Sequence, residues 1–188
     1  MNSIKFLDLR KSETITIIET VKEVFKILDE KAFHTKPSSD SWSISECFIH
    51  LNLTLKYYIP QMAKIVDQKD KYPKQRDSFR HSILGKLAVK SMTPKSDQTI
   101  PYKMKTFAKL KPDLSEGNQH EILQEFLELQ ENTLDVIERL KSMSLKKPKI
   151  VPFTGPLLKM SIGDALHFMV AHNQRHLAQA QNVLKIIT

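Results

Sequence analysis

Apolar residues recur at three- and four-residue spacing through four long stretches of this chain, and that rhythm confines it to helices. The first stretch, Ser12–His34, places Ile17, Val21, Val24, Phe25, Leu28 and Ala32 on one stripe, and the turn-forming run 35–40 ends it. The second opens at Ser43, where Ser43-Ile-Ser-Glu46 has the form of a capping box. Its stripe is Ile44, Cys47, Phe48, Leu51, Leu55, Tyr58, Ile59 and Met62. The pattern runs on to Val66, so Pro60 is expected to kink this helix rather than end it. The third stretch spans about Ser115–Met143, with Ile122, Phe126, Leu129, Val136, Ile137 and Leu140 inward. The fourth starts at a looser cap, Ser161-Ile-Gly-Asp164, and continues through Leu166, Met169, Val170, Leu177, Ala180, Leu184 and Ile187.

Four single stripes bury themselves most economically against one another, so the expected fold is all-α, a four-helix bundle. A length of 188 residues with 40% hydrophobic content suits a single domain over 1–188. Only four glycines are present, too few for the tight turns of a β-sandwich or a phosphate-cradling loop. The long connector 71–112, with one short helix expected around Phe79–Val89, is consistent with a crossover joining helices two and three in parallel. The segment Lys146–Met160 holds Pro148, Pro152, Gly155 and Pro156, which forbid a helix there.

The charge is local. Residues 64–111 carry 13 basic and 4 acidic groups, a net of +9, whereas the whole chain is +8. Such a segment can meet phosphates, a membrane surface or an acidic ligand, and is more simply a solvated connector. It lacks regular aromatic interleaving, which disfavours nucleic acid as a partner. The single cysteine, Cys47, excludes a disulfide framework and a multi-cysteine metal site, and its place on an apolar stripe reads as packing. No leader pattern and no membrane-length apolar run is present, so a cytoplasmic protein with no membrane partner is expected. Neither a GxSxG nor an HExxH pattern occurs.

Among seven histidines, the pair in His172-Asn-Gln-Arg-His176 stands out. Residues four apart on a helix project from one face about one turn apart, close enough to share a metal ion. With Ile162 at zero on a helical wheel, His176 lies about 40° and His172 about 80° from the stripe, on the same side. His167 falls about 140° away on the other side and is expected to meet solvent or a partner. Such a pair also arises as a plain polar patch. A metal would need a further ligand from another helix, and His50 lies about 120° from its stripe, at the margin. The wheel leaves open whether His50 turns inward or stays on the surface.

Trp42-Ser-Ile-Ser-Glu46-Cys-Phe-Ile-His50-Leu51 resembles the second-helix signature of the DinB/YfiT-like superfamily, and Phe153-Thr-Gly155-Pro156-Leu157 with His172-Asn-Gln-Arg-His176-Leu-Ala-Gln179 resembles its last loop and helix. The resemblance covers nearly the whole chain. It implies a four-helix bundle with a long crossover between helices two and three, and a divalent metal, zinc or nickel, held by His50, His172 and His176. It implies one or more positions left for water or substrate. Such family members are similar to metal-dependent transferases of low-molecular-weight thiols of the bacillithiol type, acting on electrophiles, and others to hydrolases. The leading expectation is therefore a metal-dependent thiol transferase; the alternative is a non-catalytic small-molecule sensor or stress-response module on the same metal site. No catalytic residue and no organic cofactor site is assigned. Glu46, Asn173 and Gln179 are candidates to orient the ligands, and Arg175 to orient an anionic substrate. A homodimer is compatible with the family.

Overall fold

The computed structural model describes residues 1–74, 78–95, 97–100, 105–113 and 117–188. Helix α1, Ser3–Thr20, begins well before the expected Ser12. Two features explain this. Asn2 accepts hydrogen bonds from the backbone N–H groups of Ile4 and Lys5, and Phe6, Leu7, Arg10 and Thr14 are buried. Arg10 breaks the apolar pattern yet goes inside, because it pairs with Glu13 at 2.6 Å and lies over the Phe6 ring. The helix widens into a single π-type turn, Val21–Phe25, where the N–H of Lys26 reaches the carbonyl of Val21. The chain then breaks before a short α2, Glu30–His34, capped by Asp29. The expected continuous helix to His34 is thus two pieces.

Helix α3, Ile44–Val66, starts at the anticipated capping box: Ser43 Oγ accepts from the Glu46 N–H at 3.2 Å, and Glu46 Oε2 accepts from the Ser43 N–H at 2.8 Å. It passes through Pro60 without ending. The connector's helix, α4, is Ile83–Met92, a few residues later than expected, because Ser82 rather than a residue near Phe79 supplies the cap. Helix α5, Gln119–Leu140, opens on a second capping box, Asn118 with Glu121. The expected start at Ser115 lies outside the described residues. A two-residue ladder of β1, Lys149–Ile150, with β2, Met160–Ser161, closes the irregular segment before α6, Ile162–Ile187.

The four long helices form a ring in which α1 and α3 each pack on both α5 and α6. Their directions follow from residue pairs. Asn52 donates to the Ile122 carbonyl, Lys56 pairs with Glu125 and Asp67 with Arg139, so α3 and α5 run parallel. Lys11 pairs with Glu138 while Gln119 reaches back to the Phe25 and Leu28 carbonyls, so α1 and α5 run antiparallel. Tyr58 meets Phe168 and His50 meets His172, so α3 and α6 are antiparallel. This is a four-helix bundle with the long crossover between the second and third long helices. Phe25, Phe48 and Phe126 meet edge to face at its centre, with ring centroids 5.1–5.2 Å apart. Among the described residues, no helix is long and apolar enough to cross a membrane.

Candidate metal centre

The crossing of α3 and α6 brings His50, His172 and His176 together, all buried. One ring nitrogen from each lies within 4.8 Å of the other two, a set that could hold a metal ion. His50 Nε2 stands 3.2 Å from His172 Nε2, and the His176 ring centroid is 4.6 Å from each of the other rings. The position of His50 resolves what the wheel left open. The first turns of α3 are buried on nearly every side, because residues 108–110 of the connector and Trp42 cover the flank that a single-stripe wheel assigns to solvent.

The far sides of two of the three rings are anchored. A backbone carbonyl only accepts, so His50 Nδ1 carries the hydrogen and donates it to the Leu110 oxygen at 2.7 Å, leaving Nε2 as a lone pair facing the cluster. His176 Nδ1 donates to Gln179 Oε1 at 3.0 Å, which frees its Nε2 in the same way. His172 Nδ1 is buried with no partner among the described residues. The Phe168 ring stacks on His172, and Trp42 stacks on His176 and tilts against His50, so aromatic faces wall the site.

Burial pushes all three imidazoles below their ordinary pKa. For His172 the neighbouring His176, His50 and Arg175 push in the same direction, and for His176 the neighbours His50 and Arg175 do so. The three rings are therefore neutral at neutral pH, the state in which imidazole offers lone pairs to a cation. The donor set fits a divalent metal: three imidazoles without thiolate or carboxylate are the ligands of an open zinc-type site.

The remaining candidates divide. Gln179 does contact one of the clustered histidines, His176. Glu46 instead caps α3 and pairs with Lys36 at 2.8 Å, and Asn173 is buried against Gln130 of α5. Arg175 is buried beside His172 and His176, with one guanidinium nitrogen 3.4 Å from the Ser91 carbonyl. Cys47 is fully buried, and burial raises its thiol pKa far above the ordinary value, so it is packing and not a nucleophile.

A second polar cluster lies toward the start of α6. Asp164 accepts from His81 Nδ1 at 2.7 Å, from Ser82 Oγ at 2.9 Å and from Ser161 Oγ at 2.8 Å. His81 Nε2 is in turn 3.1 Å from His167 Nδ1. His167 thus packs half-buried against the connector and the Phe6 ring instead of facing solvent. Burial of Asp164 alone would raise its pKa, but the hydrogen bonds from His81, Ser161 and Ser82 hold it below the usual carboxylate range. Gly85 makes this close approach possible: a Cβ there would stand 2.2 Å from the Asp164 carboxyl carbon. The sequence signals Asp164 only as a helix cap; nothing in it pairs that residue with His81.

Comparison with known proteins adds one finding. Residues 16–180 match the family model described as the DinB superfamily. No curated protein and no solved structure was found to match the chain. With the family model spanning most of the sequence and both halves of the histidine cluster, the chain belongs to the DinB superfamily.

Proposed function

We propose that His50, His172 and His176 hold a divalent metal, zinc or nickel, and that the protein is a metal-dependent transferase of a low-molecular-weight thiol, of the bacillithiol type, to electrophilic small molecules. The observation that carries the metal reading is the convergence of three buried, neutral ring nitrogens, two of them with their opposite N–H fixed by an oxygen acceptor. A divalent ion bound there supplies a Lewis acid that keeps a thiol ionised below its free pKa of about 8.5. The protein's own groups do the rest. Leu110 and Gln179 hold two rings in the tautomer that leaves Nε2 free. The Arg175 charge beside His172 and His176 favours an anionic thiolate over the neutral thiol. Trp42 and Phe168 keep bulk water from the rings they cover.

The experiment is elemental analysis of the purified protein and of His176→Ala, followed by conjugation assays with bacillithiol-type thiols and several electrophiles. About one metal ion per chain in the wild type, lost in the variant, together with thiol-dependent product, supports the reading. Less than about a tenth of an ion per chain under metal-replete conditions rejects the metal site. Full metal occupancy with no conjugate rejects transfer and leaves a sensor on the same site.

A further inference from the structure

The inward face of α4 is fixed: Gly85, Val89 and Met92 are buried, and the helix start is tied to α6 by Ser82 and His81 on Asp164. The opposite face therefore cannot roll inward. It nevertheless presents Ile83, Leu84 and Leu87 at 82%, 60% and 59% exposure. A second pair of bare aliphatics, Leu157 and Leu158 at 95% and 56%, stands in the turn that leads into β2, and β2 packs against α4. Exposure on this scale costs free energy in water unless something covers it.

The two stretches of chain that carry these side chains hold charge of one sign, and the carboxylate that packs beneath α4, Asp164, is buried and bonded to His81 and Ser82. From Ser78 to Lys95 the sequence holds four cations, Arg80, Lys86, Lys90 and Lys95, and no carboxylate. From Ser142 to Gly163 it holds four more, Lys146, Lys147, Lys149 and Lys159, and again no carboxylate. The fold joins these two stretches. The Gly163 N–H bonds the Leu145 carbonyl, the Ile162 N–H bonds the Pro148 carbonyl, and the Phe79 ring closes on Gly163. The flank of the bundle that carries α4 thus combines protruding aliphatic side chains with cations from two distant parts of the chain, Arg80, Lys86 and Lys90 from one and Lys146, Lys147, Lys149 and Lys159 from the other. Lys95 lies farther along α6, beside Gln174 and Gln181.

We propose that this flank of the molecule is a peripheral docking surface for an anionic lipid bilayer, with Ile83, Leu84, Leu87, Leu157 and Leu158 entering the acyl boundary and the neighbouring lysines and Arg80 on the headgroups. Charge complementarity selects an anionic partner, and the shape selects a lipid one. Side chains that project singly, such as Leu157 and Ile83, need a pre-cut pocket on a protein but not in a fluid layer. A polynucleotide would use the cations and leave the aliphatics bare. The reading departs from the expectation of no membrane partner, which rested on the lack of a spanning segment; a surface contact needs none.

The test is co-sedimentation of the full chain with phosphatidylcholine vesicles and with vesicles containing about 30% phosphatidylglycerol, a composition chosen to supply the negative surface potential. The wild type is expected to partition onto the anionic vesicles at least tenfold better than onto neutral ones, and less as salt rises. The combined variant Ile83→Ser, Leu84→Ser, Leu87→Ser keeps the charge and is expected to lose roughly tenfold in partitioning. Lys86→Glu with Lys90→Glu is expected to lose as much by the electrostatic route. Unchanged helical circular dichroism and metal content establish that the variants are folded. Absence of wild-type binding to anionic vesicles, or a serine variant that binds as well as the wild type, overturns the proposal, and binding to an acidic protein with no lipid partitioning replaces it.

Discussion

His50 Nδ1 and the carbonyl oxygen of Leu110 are hydrogen-bonded at 2.7 Å across 60 residues of chain. One of the three clustered histidines is therefore oriented by the crossover and not by the helix that carries it. Leu110→Asp puts a charge where the leucine side chain is buried and pulls this turn away from His50. Partners of this kind change metal affinity by roughly 10–100-fold. A loss of that size is expected in chelator competition, with helical content retained. An unchanged affinity would show that His50 needs no such support.

Gln179 gives a matched pair of variants. Gln179→Leu removes the acceptor for His176 Nδ1, and Gln179→Glu keeps one. The leucine variant is expected to weaken metal binding by roughly tenfold, while the glutamate variant keeps it near the wild-type level. The same loss in both would mean that Gln179 acts through packing.

Gly85→Ala tests how tightly α4 is seated. The added methyl would meet the Asp164 carboxyl group at 2.2–2.7 Å, against backbone and side chains that are both pinned. Overpacking of this kind costs about 1–3 kcal/mol, measurable as a lower urea midpoint. An equally stable variant would show that α4 can shift on α6 without penalty.

The half-buried His167 sets a pH dependence. Burial first, and then the charges of Arg10 and His81, bring its pKa down to about 3 in the folded chain, against about 6.5 when unfolded. With the folded value lowered, the unfolded chain takes up the proton first, so stability is complete above about pH 6.5 and drains away toward pH 3. The limiting slope is about 1.4 kcal/mol per pH unit, roughly halved here because the ring is only partly shielded from water. Between pH 6.5 and 5 the wild type is expected to lose more stability than His167→Gln, by denaturant titration at each pH. Parallel curves would remove His167 from the account.

The bundle was legible because its evidence is local. Stripes such as Phe48, Leu51, Leu55 and Tyr58 carry the helical period in themselves, and Ser43 with Glu46 marks a helix start without reference to anything distant. The pair His172 and His176 was legible for the same reason. The beginning of α1 was not, since Arg10 looks like a surface residue until Glu13 and Phe6 are seen to enclose it. The inward turn of His50 also escaped the wheel, which knows one stripe and not the strap of chain that roofs the helix. Least visible was the contact of Asp164 with His81, because 83 residues separate them and neither belongs to a recognisable spacing.

Two neighbouring helices that point the same way oblige the intervening polypeptide to travel back along the whole barrel before the second can begin. Here that return journey is not idle cable: at residue 110 it leans on an imidazole and sets its proton. Loop length, ordinarily free to drift, is thereby tied to the geometry of the histidine cluster, and shortening this traverse would be felt at those rings before it was felt by the fold.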